Sequence, residues 1–179
     1  MKINRIVLAA CALAACSALA GAQAANPVAT ALRNSLKSAT NKMVAAAKEM
    51  PADKYSFKPT PESMSFGQLV LHVANSNQSM CQWLSGADPA IKTTLTPTSP
   101  KDELVAFLQK SFDYCQQSLA SLSDADLSKE VPSFGGRKVS QAQLILSLSD
   151  DWADHYSQQA AYLLLNKRVP PTARPRGWR

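Results

Sequence analysis

The chain has 179 residues, of which 46% are hydrophobic and 18% charged, and its 19 Lys and Arg outnumber its 13 Asp and Glu. This length suits one ordinary domain, and the composition excludes a disordered charged tail protein, a collagen-like repeat and a disulfide-dense miniature scaffold. Aromatic residues make up 7% of the chain and there are only 6 glycines, a balance that favours helices over a β-sandwich.

The first 24 residues are typical of a secretory signal peptide. Met1–Arg5 carries two basic residues and no acidic one, Ile6–Ala20 is an apolar run, and Ala22-Gln23-Ala24 is a small-x-small cleavage site. Cleavage after Ala24 removes two basic residues and no acidic ones, which leaves a net charge of about +4. The sequence therefore predicts an exported, periplasmic protein.

The same segment contains a second processing signal. Leu13-Ala14-Ala15-Cys16 resembles a bacterial lipoprotein box, in which the cysteine is acylated and becomes the first residue of the mature chain. Because an alanine-rich signal produces such a box by chance, lipidation at Cys16 and simple cleavage both stay open. A membrane-anchored lipoprotein is thus the alternative location. No later apolar stretch of the sequence reaches the length of a transmembrane helix.

Hydrophobic periodicity predicts two helices in the first half of the remaining chain. The first runs from about Pro27 to Met50, with apolar residues at steps of three and four. The second runs from about Phe66 to Leu84, where Ser65 and Gln68 have the spacing of a capping box. Gly86 is expected to end this second helix.

Two further helices are predicted in the second half. One runs from about Pro100 to Leu122 with Ser99 as its cap, and the other from about Gln141 to Asn166 with Ser140 as its cap. Residues 131–139 are expected to be loop or one short extended piece. Each connection between helices has roughly a dozen residues or more, enough to run the length of a helix, so helix directions stay open.

These elements predict an all-α fold, a four-helix bundle with long connections over residues 25–171. Residues 172–179 form a basic, Pro-rich tail, which we expect to lie extended on the surface. Cys81 and Cys115 remain after signal removal, an even pair in an oxidising compartment. We expect them to form a disulfide if their helices are neighbours; two buried free thiols are the alternative.

Both histidines of the chain fall on predicted helices, His72 on the second and His155 on the fourth. Steps of three and four residues define a stripe on the fourth helix that should face the interior: Leu144, Leu148, Asp151, His155, Gln159 and Tyr162. Two half-buried helices can bring His72, Asp151 and His155 together. Two imidazoles and a carboxylate can hold zinc, nickel or ferrous iron and leave coordination positions open. Spacing alone, however, favours an Asp–His ion pair on the fourth helix together with a separate core histidine on the second.

Two longer motifs resemble a known family. Residues 58–74 read Lys-Pro-Thr-Pro-Glu-Ser-Met-Ser-Phe-Gly-Gln-Leu-Val-Leu-His-Val-Ala and resemble the entry to the second helix of the DinB-like (YfiT-like) metal-binding family. Residues 155–171 begin His-Tyr-Ser-Gln-Gln and end Val-Pro-Pro, similar to that family's closing motif. In that motif Ser157 replaces the usual glycine and Leu164 the usual arginine.

The resemblance implies a four-helix bundle with an up-down-down-up path and a metal site of three histidines. His72 falls on the first ligand position and His155 on the last, whereas Asp151 occupies the middle one, a departure from the family. Because a carboxylate is also a competent ligand, we expect His72, Asp151 and His155 to bind a divalent metal ion. Zinc, nickel and iron all stay open as its identity.

The resemblance also implies what the protein does. Some relatives are thiol-dependent transferases or isomerases and others are described as metal-dependent hydrolases, so we expect a metal-dependent hydrolase or transferase of an unknown small molecule. A non-catalytic envelope module that binds a metal or small ligand is the alternative. An acid or base beside the ligands would favour the enzyme; Asp154 is one candidate, but it steps away from Asp151 on the helix, so the choice stays open. No aromatic platform or basic recognition helix is present, so we expect no nucleic-acid partner; a homodimer stays open.

Overall fold

The computed structural model describes residues 26–89 and 93–174, which form four long helices and one small β-hairpin. The helices are α1 (Pro27–Glu49), α2 (Phe66–Ser85), α3 (Lys101–Ser118) and α4 (Gln141–Leu165), and the strands are β1 (Glu130–Pro132) and β2 (Lys138–Ser140). The predicted all-α class is confirmed. The expected signal peptide, its cleavage site and Cys16 lie outside the described residues. None of the helices described is long and apolar enough to span a bilayer.

The central pair of helices, α2 and α3, runs parallel. Asn77 of α2 contacts Ser111 of α3, and four residues further along both helices Cys81 contacts Cys115. A parallel pair that is consecutive in sequence needs a connection that returns along the bundle. Residues 86–100 form this connection, which explains why it is longer than the loops of a simple up-down bundle.

The other two pairings complete the up-down-down-up path. Lys101, the first residue of α3, donates to the carbonyl oxygen of Lys48 at the end of α1, so these helices are antiparallel. Gln141, the first residue of α4, donates to the carbonyl oxygen of Leu84 near the end of α2, so these are antiparallel too. Each of α1 and α4 therefore runs opposite to the central pair, and the predicted bundle topology is confirmed.

The first helix is capped by a residue far along the chain. The two carboxylate oxygens of Asp124 accept hydrogen bonds from the backbone N–H groups of Val28 and Ala29, at 2.9 and 2.8 Å. The side-chain oxygen of Asn26 in turn accepts from the backbone N–H of Asp124 at 2.8 Å. A carboxylate in this place satisfies orphan donors and complements the helix dipole, and it attaches the α3–α4 connection to the start of α1.

We expect Asp124→Ala to lower the free energy of unfolding by about 1–2 kcal/mol, the typical cost of a lost helix cap. Urea denaturation measures the change. Asp126→Ala is the matched control, because Asp126 lies in the same turn and, within the described part of the chain, its carboxylate pairs only with the exposed Lys129. That substitution should cost less than about 0.5 kcal/mol. Equal destabilisation by the two substitutions would contradict the assigned cap.

The predicted caps of α2 and α4 are confirmed. The hydroxyl of Ser65 accepts from the backbone N–H of Gln68, and the side-chain oxygen of Gln68 accepts from the backbone N–H of Ser65, which is a complete capping box. The hydroxyl of Ser140 accepts from the backbone N–H of Gln143. Both caps join residues three apart in the sequence, so their hydrogen bonds do not depend on how the helices pack against one another.

The predicted ends of α3 are wrong in two respects. The hydroxyl of Ser99 accepts from the backbone N–H of Thr96 and so belongs to the preceding turn, not to the helix. The helix ends at Ser118 rather than near Leu122, because the backbone leaves helical geometry at Leu119, with φ −92° and ψ 1°. The chain then turns so that Leu122 still enters the core, which is why its apolar character suggested a longer helix.

Residues 131–139 form a hairpin rather than a loop or a single extended piece. Strands β1 and β2 pair antiparallel, with Val131 opposite Val139. Gly135 and Gly136 make the turn, with φ of +70° and +72°, a conformation that glycine adopts without strain. Strands of three residues are too short for alternating hydrophobicity to reveal them.

Cys81 and Cys115 form a disulfide between α2 and α3, with their Cα atoms 5.3 Å apart. Both residues are completely buried. The parallel course of the two helices brings these cysteines into register, as the sequence analysis expected for neighbouring helices.

After α4 the chain folds back against α1. The guanidinium of Arg168 donates to Glu49 at 2.8 Å, and Arg174 also pairs with Glu49. The hydroxyl of Tyr156 is hydrogen-bonded to the side chain of Thr172 at 2.8 Å. Hydrogen bonding by Arg168 lowers the pKa of Glu49. The first residues of the predicted tail are thus docked on the bundle rather than simply extended; residues 175–179 lie outside the described part.

Candidate metal centre

Helices α2 and α4 bring His72, Asp151 and His155 to one place. One candidate ligand atom from each side chain lies within 4.8 Å of the other two. The imidazole rings of His72 and His155 have their centroids 4.8 Å apart, and Nε2 of His155 is 3.3 Å from Oδ1 of Asp151. The four-residue spacing puts Asp151 and His155 on one face of α4. The antiparallel packing of α2 then places His72 opposite them.

The cluster lies at the rim of the bundle. His155 is buried, with 8% of its surface exposed, Asp151 is half-buried, and His72 is exposed. Exposure to solvent therefore increases from His155 through Asp151 to His72. A ligand held between them would face protein on the His155 side and solvent on the His72 side.

Unpaired polar atoms in the cluster test whether a cation fits. Among the described residues, Oδ2 of Asp151 and Nδ1 of His155 are buried without a hydrogen-bond partner. Burying a carboxylate oxygen without a hydrogen-bond donor costs free energy, and a nearby positive charge offsets that cost. A divalent cation among the three side chains would supply that charge. The donor set, two imidazoles and one carboxylate, fits a transition-metal ion.

The carboxylates around His155 favour its protonated form. Hydrogen bonding to Asp151 raises the pKa of His155 above its ordinary value of 6.5, against the opposing effect of burial, and the charges of Asp151 and Asp154 add to the rise. The same negative field that attracts a proton attracts a metal ion. Protons and metal ions therefore compete for His155.

Asp154, one candidate for an acid or base beside the ligands, lies next to His155. Its Oδ2 atom is 3.6 Å from Nδ1 of His155, too long for a hydrogen bond, and its side chain is largely exposed. It also accepts a hydrogen bond from Gln158 at 2.9 Å. This carboxylate is therefore on the solvent side of the buried imidazole, outside the group of three candidate ligands.

Two buried polar residues near the cluster were not identified as functional from the sequence. Gln159, one turn beyond His155, is completely buried, and neither of its amide atoms has a hydrogen-bond partner among the described residues. Asn77 is also completely buried and is hydrogen-bonded to Ser111 and Trp152. The sequence feature that could have identified them is a polar residue on an otherwise apolar helix face, because a buried polar side chain needs a hydrogen-bond partner or a functional role.

The sequence of the chain matches the DinB superfamily over residues 35–159. Two solved structures of DinB-like proteins are similar to it. The one from Bacillus subtilis has 22% sequence identity and a TM-score of 0.64, over 81% of this chain and 98% of that chain. The one from Bacillus cereus has 13% identity and a TM-score of 0.63, over 78% of this chain and 93% of that chain. A comparison with curated protein sequences finds no match.

An enzyme of known activity shares the fold. A mutant of mycothiol-dependent maleylpyruvate isomerase has 14% identity to the chain and a TM-score of 0.58, over 72% of this chain and 59% of that chain. At such identities these likenesses concern the fold alone. The family match, in contrast, rests on sequence, extends from α1 into α4 and includes His72, Asp151 and His155. The chain therefore belongs to the DinB superfamily.

Proposed function

We propose that the protein is a metal-dependent hydrolase or transferase that binds one divalent cation through His72, Asp151 and His155. The observation that carries the proposal is the convergence of three ligand-type side chains within 4.8 Å, one of them with a buried, unpaired carboxylate oxygen. Such a donor set suits zinc, nickel or ferrous iron and leaves positions for water or substrate. A bound ion would polarise a substrate oxygen or activate a thiol or water.

The three side chains have different tasks in this proposal. His155 is buried and would hold the ion against the core. The carboxylate of Asp151 would neutralise part of the positive charge of the ion. His72 is exposed and completes the site on the side from which substrate arrives. The Asp154 carboxylate lies 3.6 Å from His155 and is largely exposed, so it is placed to act as an acid or base next to the reacting groups.

Two features support an enzyme rather than a structural metal site. Structural zinc sites are closed by four protein ligands, whereas three ligands at a solvent-facing rim leave the ion accessible. The shared fold with an isomerase that depends on mycothiol also supports an enzyme acting on a small molecule. That comparison leaves the substrate open.

Elemental analysis of the purified protein tests the proposal directly. The protein should be stripped with a chelator, reloaded separately with zinc, nickel and ferrous iron, and analysed after gel filtration. We expect one ion per chain. Chelated protein that takes up less than a tenth of an equivalent of each ion would contradict the metal site.

The affinity for metal should fall as the pH is lowered, because the ion requires unprotonated histidines. Asp151 raises the pKa of His155 above 6.5, so the loss should begin at a higher pH than for an ordinary histidine. Below that pKa the affinity should fall by about tenfold per pH unit for each proton displaced. Zinc titrations against a competing chelator between about pH 5 and 8 measure this. A flat profile would contradict ligation by His155.

The metal-free protein should show the opposite trend at this group. A raised folded-state pKa means that the protonated form of His155 stabilises the apo fold. This contribution is fully present below the unfolded-state pKa near 6.5 and is lost as the pH rises through the higher folded-state value. Urea denaturation of the apo protein over the same pH range supplies this second measurement.

We further propose that the protein is exported, on the strength of its first 24 residues alone. N-terminal sequencing of the protein recovered from its native host should begin at Ala25 if the signal is simply cleaved. Lipid attached at Cys16, and lost in Cys16→Ser, would indicate the lipoprotein alternative. Recovery of the full-length chain from the cytoplasm would contradict both.

A further inference from the structure

A line of buried hydrogen bonds crosses the bundle beside the candidate metal centre. The indole N–H of Trp152 on α4 donates to the side-chain oxygen of Asn77 on α2 at 2.7 Å. The amide nitrogen of Asn77 donates to the hydroxyl of Ser111 on α3 at 3.0 Å, and that hydroxyl donates to the carbonyl oxygen of Leu108 at 2.8 Å. Every donor in the line has one acceptor, so the orientation of the Asn77 amide is fully determined.

This line is adjacent to the ligands on both helices that carry them. Trp152 directly follows Asp151 and precedes His155 by three residues, and Asn77 is five residues after His72. At about 100° per residue, a rotation of α4 that moved Trp152 away from Asn77 would also change the positions of Asp151 and His155 relative to His72. The hydrogen bond and the metal centre therefore depend on the same rotation of α4.

Two other hydrogen bonds hold α4 against α2 or the turn before it, but both lie further along α4 from the ligands than Trp152 does. They run from Gln141 to the carbonyl oxygen of Leu84 and from Tyr162 to the carbonyl oxygen of Met64. Within residues 26–89 and 93–174, the Trp152–Asn77 contact is the one side chain–side chain hydrogen bond between α2 and α4. The disulfide joins α2 to α3 and does not involve α4. The ring of Trp152 also makes a tilted contact with the ring of Phe112, which lies on α3 rather than α2.

We propose that Asn77 and Trp152 are positioning residues for the metal centre. Their hydrogen bond sets the rotation of α4 against α2, so that Asp151 and His155 meet His72 in a geometry that one ion can share. The inference rests on the proposed metal function and adds two residues that touch neither ion nor substrate. It also separates the roles within the buried line: the Asn77–Trp152 bond positions ligands, whereas the Asn77–Ser111 bond only joins α2 to α3.

Two variants separate positioning from stability. Trp152→Phe keeps a ring against Phe112 and removes the indole N–H. Ser111→Ala is the matched control, because it removes the other hydrogen bond of Asn77 and leaves the bond to α4. The readouts are zinc affinity by chelator competition, the visible absorption spectrum of the cobalt(II)-loaded protein, and the urea midpoint. Spectrum and affinity report the geometry of the ligands, which a purely structural role would leave unchanged.

We expect Trp152→Phe to weaken zinc binding by about 10-fold to 100-fold, the usual effect of losing an outer partner of a metal site, and to alter the cobalt spectrum. Ser111→Ala should lower the urea midpoint but keep the zinc affinity within about twofold and the cobalt spectrum unchanged. If Trp152→Phe does not fold, Asn77→Ser takes its place, because the shorter side chain cannot reach the indole.

Three outcomes would overturn the inference. Unchanged affinity and spectrum in a folded Trp152→Phe protein would overturn it alone and leave the proposed metal function standing. Equal loss of zinc affinity in Trp152→Phe and Ser111→Ala would show that these buried hydrogen bonds affect metal binding only through the stability of the fold. A wild-type protein that binds no zinc or cobalt would overturn the proposed function and this inference with it.

Discussion

Replacing His155 with alanine should lower the affinity for a divalent ion by at least about 100-fold, more than the loss of an outer partner causes. His155 is the most buried of the three candidate ligands and lies within reach of both others. The alanine variant would leave Asp151 facing one imidazole, and a two-ligand site at a solvent-facing rim holds an ion weakly. Zinc titration against a competing chelator measures the change.

Two further substitutions on α4 make the test specific. Asp150→Ala removes a neighbouring carboxylate that is exposed, so it should leave the zinc affinity within about threefold of wild type. Asp151→His exchanges one competent ligand for another and should keep one ion per chain. A His72→Ala, His155→Ala double variant that retains stoichiometric metal would contradict the assignment of the site.

Breaking the disulfide should lower the melting temperature by about 8–15 °C. The bridge closes a loop with a sequence separation of 34 residues. In the chain-entropy account, a loop of this size stabilises the folded state by roughly 3.5–4 kcal/mol. For a domain of this size each kcal/mol corresponds to about 2–4 °C. Thermal unfolding of the same protein with and without a reductant, at one pH and one metal load, measures the difference.

The Cys81→Ala, Cys115→Ala variant is the control for this experiment. It should melt at a low temperature with or without the reductant, because it has no bridge to lose. Its zinc affinity should stay close to that of the wild type, since the bridge joins α2 to α3 and not to α4. Uptake of two alkyl groups by the wild-type protein without reductant would mean free thiols.

Several features of the protein could be predicted because they are local. The capping box of Ser65 and Gln68 and the cap by Ser140 each depend on residues three apart. The stripe that places Asp151 and His155 together depends on a four-residue step along one helix. Such features follow from helix geometry, so they can be read from the sequence before the packing of the bundle is known.

The motifs around His72 and after His155 carried the prediction further than periodicity did. Spacing alone favoured an ion pair on α4 and a separate core histidine on α2 over a metal site. The resemblance implied that one metal site is shared by the second and fourth helices. It also implied the up-down-down-up path, in which α2 and α4 are antiparallel. The structure then placed the two imidazole rings 4.8 Å apart, although the two histidines are 83 positions apart in the sequence.

Other features were decided only by the tertiary structure. Asp124 caps a helix that begins nearly a hundred residues earlier, and Trp152 finds Asn77 on another helix 75 residues away. The sequence by itself determined where the four long helices would lie, which of their faces would be apolar and which side chains could serve as ligands. The rotation and direction of each helix decided which of those faces meet, because contacts between distant residues form only after the bundle has packed.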